Sequence, residues 1–282
     1  MKYFRINIYL SVKNFFLSLL DYKSANKYDY EISKLLLKNS KKKHLSLTSQ
    51  CRISFLFILR YLKKYFPKKN EIVFCAYNLP EMVNVAKNLN FKIVFSDLDY
   101  STGFYNLSKL KKKLNKKTAA VVLTNMFNTY EESIKLKKIC KNKSINIIED
   151  NAIYFDNYKI INKKKKFSGS IGDFSIYSFN IMKHISAFYG GALATNNTEF
   201  VNYFNEQEKN NADFFLLKLF HQILIYLILK IMGIKVLFLY PNTYGMNMLP
   251  PAIALFASIL KKQGHQVDGI QKMLDRLKNA EK

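Results

Sequence analysis

The residues best equipped for chemistry lie between Gly169 and Thr195. Gly172-Asp173 leads into Phe174-Ser175-Ile176-Tyr177-Ser178-Phe179; Lys183 follows, then the small-residue run Tyr189-Gly190-Gly191-Ala192-Leu193-Ala194-Thr195. Thirty-three residues before Lys183, Ile147-Ile148-Glu149-Asp150 reads as a buried strand ending in two carboxylates. An acid at one strand end, a serine at another and a lysine five residues past that serine form the skeleton of a pyridoxal phosphate (PLP) site. In such a site the lysine forms the Schiff base, the acid pairs with the pyridine nitrogen and the serine helps to hold the phosphate.

These residues need a scaffold that brings strand ends together. From Glu71 the pattern alternates. Strands are expected over 71–77, 92–97, 119–127, 145–149, 174–179 and 192–195. Helices are expected over 80–88, opened by Pro80, and over 107–114 and 131–141. Such alternation implies an α/β layered domain with a largely parallel sheet. Ligands of these sheets sit beyond the carboxyl ends of the strands, where Asp150 and 179–183 fall. Ahead of the sheet, Leu47-Thr48-Ser49-Gln50-Cys51-Arg52 precedes an apolar helical run to Tyr65. Thr48 or Ser49 is expected to cap that helix. Its N-terminus reads either as a plain cap or as a phosphate cradle. The run Lys163–Lys166 is expected to be a solvated loop.

The 282 residues suffice for one large domain, or a large and a small one. The formal charge of +25 comes from 45 basic residues, of which only Arg5, Arg52, Arg60 and Arg276 are arginine. Nucleic-acid readers rely on arginine for bidentate contacts, and no nucleic-acid-binding module is visible, so nucleic acid is not an expected partner. The lysine excess would instead steer anionic partners, such as a nucleotide-sugar or an anionic membrane surface. Cys51, Cys75 and Cys140 show no CxxC spacing, and the four histidines show no metal-ligand spacing. The reducing cytoplasm is the expected location and no metal is expected. The N-terminal stretch to Leu20 lacks the features of a signal peptide. The apolar region 214–240 is interrupted by Lys218, His221, Lys230 and Lys235. It falls short of the roughly 20 residues of a membrane span and reads as a buried or interfacial helix, with peripheral membrane contact as one use.

The ordered set of elements resembles the DegT/StrS family of PLP-dependent sugar aminotransferases over residues 30 to 282. It comprises the serine-containing helix start, Cys75-Ala76-Tyr77, Val94-Phe95-Ser96-Asp97-Leu98-Asp99, Ile148-Glu149-Asp150, Gly172-Asp173, Ser178-Phe179, Lys183 and Gly190-Gly191-Ala192. The resemblance implies a type I PLP-transferase (aspartate aminotransferase-like) large domain and a homodimer with shared active sites. It also implies amino transfer from an amino acid, glutamate, to a keto nucleotide-sugar, in surface polysaccharide (O-antigen) biosynthesis. Lys183 is then the catalytic lysine, Asp150 the partner of the pyridine nitrogen, and Ser178 a phosphate ligand alongside backbone amides near Gln50 and Cys51. The expected division is an N-terminal helical arm (1–45), a PLP-binding large domain (46–240) and the helical start of a truncated C-terminal domain (241–282).

The sequence departs from the family pattern in several places. The family places Gln or His three positions past the aspartate, where Ile153 stands. The helix-start glycine is replaced within Ser49-Gln50-Cys51-Arg52. The stacking aromatic is Leu79, the family's histidine on the following strand is Asn125, and the Asn-x-Arg-Met element near 242–248 lacks its arginine. These departures support an alternative: a non-catalytic homologue acting as a partner subunit or a membrane-surface scaffold.

Overall fold

The protein's computed structural model describes residues 25–125, 130–153, 158–161, 164–180, 183 and 190–208. The regions 214–240 and 241–282, including the 242–248 element, lie outside the described residues.

Helix α1 (Ala25–Ser40) precedes strand β1 (His44–Thr48) and helix α2 (Cys51–Tyr65). Then come β2 (Glu71–Cys75), α3 (Pro80–Asn88), β3 (Lys92–Ser96), α4 (Leu107–Lys113), β4 (Thr118–Thr124), α5 (Tyr130–Asn142) and β5 (Asn146–Asp150). The hairpin β6 (Tyr158–Ile161) and β7 (Lys164–Phe167) leads to β8 (Phe174–Ser178), β9 (Gly191–Thr195) and α6 (Thr198–Glu208).

Seven strands form one sheet in the order β1-β9-β8-β5-β4-β2-β3. The pairs β3/β2, β2/β4, β4/β5 and β5/β8 are parallel, while β8/β9 and β9/β1 are antiparallel. Strands β2, β4, β5 and β8 are buried over nearly their whole length because helices cover both faces, whereas the edge strand β3 is partly exposed. One face carries Phe74, Val122, Ile148, Ile176 and Leu193 under α2, α3 and α6. Helix α2 fits there because Phe55, Ile58, Leu59 and Leu62 recur at helical spacing on one side. The opposite face packs Val121, Leu123 and Ile147 against Leu110 of α4 and Leu136 of α5, and Tyr177 and Ala192 near Leu36 of α1.

The three-layer α/β architecture agrees with the expectation from sequence, and α3 has the expected bounds. Three elements were not anticipated: β1, which pairs with β9 and extends the sheet, the β6–β7 hairpin, and α6. The expected solvated loop over 163–166 is corrected, because Lys164–Phe167 pairs antiparallel with Tyr158–Ile161 as β7. Cross-strand hydrogen bonding offsets the low strand propensity of a lysine run.

Candidate active site

Strand order reverses between β2 and β4. From β2 the chain passes through α3 on one face to β3, then through α4 on the other face to β4. A crevice beyond the strand ends is the topological consequence. Asn78, just past β2, spans that point by donating to Thr124 Oγ1 at 2.9 Å.

Glu149 and Asp150 project to opposite faces of β5, because side chains alternate along a strand. Asp150 lies on the α2 face at the end of β5, opposite Thr124 on β4 and Ile176 on β8. It is 4% exposed. Its Oδ1 accepts from the Ala152 N–H at 2.9 Å. Burial pushes the carboxyl above the usual carboxylate range, and the Ala152 N–H and the Lys183 ammonium oppose that shift. Lys183 is half-buried, beyond the end of β8, with its N–H bonded to Asn180 O. Its charge acts on Asp150 and also on the Cys51 thiol. The amine, the carboxylate and the start of α2 therefore share one electrostatic environment.

Ser178 ends β8 on this same face, half-buried and opposite Gly191. Helix α2 begins over that point, with Gln50 bridged to Gly190. Gly191 is demanded by this approach: a Cβ there would lie 2.5 Å from Cys51 N and 2.7 Å from Gln50 C. The expected cap by Thr48 or Ser49 is corrected. The N-cap is Gln50, and no side chain caps the helix. The Thr48 hydroxyl instead donates to Gln50 O at 3.0 Å and meets Ser54 Oγ at 2.8 Å. The first turn of α2 thus keeps its amide positive end without a side-chain acceptor, next to Ser178 and Gly191.

Burial pushes the Cys51 thiol well above its ordinary value, and Asp150 adds to the effect. Burial also takes the Cys75 thiol to about 11. Neither thiol is poised as a nucleophile. Cys51 lies at the site through its position at the head of α2.

Asn125 follows the end of β4. Its side chain lies on the face opposite Asp150, donating to Glu149 Oε1 at 2.9 Å and to Asn151 Oδ1 at 2.7 Å. Glu149, the acid to which sequence gave no role, is 1% exposed. Besides Asn125, it accepts from the N–H groups of Gly169 (2.6 Å), Ile171 (2.9 Å) and Gly172 (2.7 Å). Lys42 extends this cluster by donating to Gly172 O. The cluster sets the loop that launches β8. Leu79 and Ile153 are 44% and 47% exposed near the carboxyl edge and offer no side-chain hydrogen bond. Among the described residues, no cluster of His, Cys, Asp and Glu is placed to hold a metal, and no helix is long and apolar enough to cross a membrane.

Known proteins share this arrangement. The UDP-4-amino-4,6-dideoxy-N-acetyl-beta-L-altrosamine transaminase of Helicobacter pylori is 24% identical over 157 residues, 56% of this chain and 40% of that protein. GDP-perosamine synthase of Escherichia coli O157:H7 is 26% identical over 127 residues, 45% of this chain and 34% of that protein. The chain therefore spans well under half the length of these curated relatives. The solved structure of GDP-4-keto-6-deoxymannose-3-dehydratase with bound GDP-perosamine superposes with a TM-score of 0.58 at 20% identity, over 71% of this chain and 53% of that one. A family model for the DegT/DnrJ/EryC1/StrS aminotransferases matches residues 27–210. With the sheet order, the strand-end acid and the lysine beyond β8 all in place, the chain belongs to the DegT/DnrJ/EryC1/StrS aminotransferase family.

Proposed function

We propose that the protein binds PLP and transfers an amino group from an amino acid, glutamate, to a keto nucleotide-sugar destined for surface polysaccharide. The observation that carries this reading is the common electrostatic environment of Lys183, buried Asp150 and the uncapped start of α2. The residues present fit the cofactor. A desolvated carboxylate with one N–H partner among the described residues has acceptor capacity left for a cationic ring nitrogen. A helix start with no side-chain cap, beside a hydroxyl and a glycine, suits a phosphate.

Bound PLP supplies an electron sink that eases proton loss from an amino-bearing carbon. Lys183 Nζ would hold the cofactor covalently and, when free, would accept and return a proton at the substrate carbon. The negative charge of Asp150 would favour a protonated ring nitrogen. Ser178 Oγ and the amides at Gln50 and Cys51 would hold the phosphate. The names of the relatives support a nucleotide-sugar as acceptor. A homodimer in the cytoplasm, with active sites shared between subunits, completes the proposal.

The test is spectroscopic. Adding PLP to the purified chain is expected to produce a visible absorbance band that Lys183→Ala abolishes. A protein that is colourless once excess PLP has been removed by gel filtration refutes the reading. A second reading, a cofactor-binding subunit without turnover, is favoured by Leu79, Ile153 and the diverted Asn125, none of which provides a polar contact at the site. It predicts the band but no glutamate-dependent amination of keto nucleotide-sugars.

A further inference from the structure

The sheet has a second edge, opposite the candidate site, and lysine is concentrated there. The connections leaving β2, β3 and β4 (76–79, 97–106 and 125–129) contain no lysine, and that after β3 holds Asp97 and Asp99. The segments entering β2 to β5 supply Lys68, Lys69, Lys92, Lys116, Lys117 and Lys143, with no acid in the turns themselves. The overall lysine excess does not account for this sidedness, since both edges are drawn from the same chain.

These segments lie side by side because β3, β2, β4 and β5 are adjacent and parallel, with Glu71 opposite both Lys92 and Thr118 and, past a register shift after Glu71, Ala120 opposite Asn146. They are also tied together. Lys92 N–H donates to Asn70 O, Glu71 N–H donates to Lys117 O at 3.0 Å, and Lys143 Nζ donates to Leu114 O at 3.0 Å. Lys69 Nζ donates to Ser144 O. Of the acids at this edge, Glu71 is buried and bonded to Lys92 and Asn115, and Asp173, at the start of β8, accepts from the Ile147 N–H at 2.7 Å. Four strand starts at ~4.8 Å spacing make a row roughly 15 Å long. Lys68, Lys116 and Lys117 are exposed along it. Where α2 ends, ahead of the turn into β2, stand Tyr65 and Phe66, each 38% exposed, beside Lys63 and Lys64.

We infer that this rim is a docking surface for an anionic phospholipid bilayer, leaving the carboxyl edge of the sheet facing away from the membrane. Lysine point charges draw phospholipid headgroups without needing bidentate geometry, and exposed aromatic rings settle at the headgroup level. The rim turns contain no arginine for reading nucleic acid. The inference does not depend on the cofactor or on the segment 214–240.

The experiment is cosedimentation of the full chain with vesicles of phosphatidylcholine alone, or mixed equally with phosphatidylglycerol. Binding is expected only to the mixed vesicles and is expected to fall as salt rises. The triple variant Lys68→Gln, Lys116→Gln, Lys117→Gln should bind roughly a hundredfold more weakly, from about fivefold per lysine. None of the three amines forms a hydrogen bond among the described residues, so unchanged thermal unfolding is the accompanying control. Phe66→Ser should weaken binding further. Equal binding to both vesicle types, or unchanged binding by the triple variant, overturns the proposal. So does loss of binding only on neutralising Lys218, Lys230 and Lys235, which places the contact at 214–240. Tighter binding of a homopolymer RNA than of mixed vesicles, lost in the same triple variant, makes the rim a nucleic-acid surface and also overturns it.

Discussion

Replacing Glu149 by glutamine changes one atom and should cost a large part of the fold's stability. The carboxylate accepts four hydrogen bonds, two at each oxygen: Gly169 N–H and Asn125 Nδ2 at Oε1, Ile171 N–H and Gly172 N–H at Oε2. A glutamine must turn its NH2 toward one pair or the other. Either orientation removes two bonds to a charged acceptor and sets donor against donor in a site that is 1% exposed. At about 1.5–3 kcal/mol per charge-assisted bond, the loss is about 3–6 kcal/mol. Domains of this kind have about 5–15 kcal/mol in total. Urea unfolding of the PLP-free chain measures the loss as a fall in midpoint at unchanged slope. Exposed Glu81→Gln, expected within about 0.5 kcal/mol of the parent, is the control. A Glu149→Gln loss below about 1 kcal/mol would refute the reasoning, since it would mean that the loop relaxes and does not need the acceptor. The variant should also bind PLP poorly, because the loop 169–172 sets the start of β8 and so the positions of Ser178 and Lys183.

Gly191→Ala places a methyl 2.5 Å from Cys51 N, a backbone atom that cannot swing aside. PLP affinity should fall at least tenfold as the head of α2 is displaced, which a titration of the visible band would measure. Asp150→Asn should act oppositely on stability and on binding. The folded-state pKa of Asp150 is raised, so its contribution to stability is fully present below the unfolded value, about 3.9, and is lost as pH rises through the folded value. Without PLP, Asp150→Asn should therefore gain in melting temperature relative to the parent as pH rises from about 4 toward 7. Its PLP affinity should drop by roughly tenfold to a hundredfold, the equivalent of one charged hydrogen bond.

The layered core was legible because its signals are local. Apolar runs bounded by Pro80, Asn90 and lysine-rich turns fixed α3 and placed the parallel strands within a few residues. Strand β1 was not legible. His44–Thr48 is half-buried along its whole length, and only the distant antiparallel partner β9 defines it. The hairpin strand β7 was hidden by its lysines, which resemble solvent-facing loop until cross-strand pairing with β6 is known. At the candidate site, type and spacing singled out Lys183, Asp150 and Ser178, and the structure puts Asp150 and Ser178 on one face of the sheet with Lys183 beyond β8. The face taken by Asn125 was not legible, because position along a motif does not reveal which face of the strand a residue occupies. The alternation Val121, Leu123, Asn125 puts it with the α4/α5 side, opposite Thr124. The role of Glu149 was invisible because its partners lie in a loop about twenty residues downstream.

Glu149 and Asp150 show how a fold can give two adjacent acids different surroundings. They are chain neighbours with nearly equal burial, and strand alternation sends them to opposite faces. Glu149 meets four donors, so its charge is fully engaged and no ligand could bind it without breaking the loop. Asp150 meets one N–H among the described residues and the more diffuse field of Lys183. Its desolvation is incompletely offset, and the fold bears that cost at the open end of the sheet. A carboxylate in that condition is stabilised by any cation that reaches it, which gives binding energy to a positively charged ligand and none to a neutral one. The same asymmetry predicts that loss of Asp150 leaves the unliganded fold intact, while loss of Glu149 weakens it.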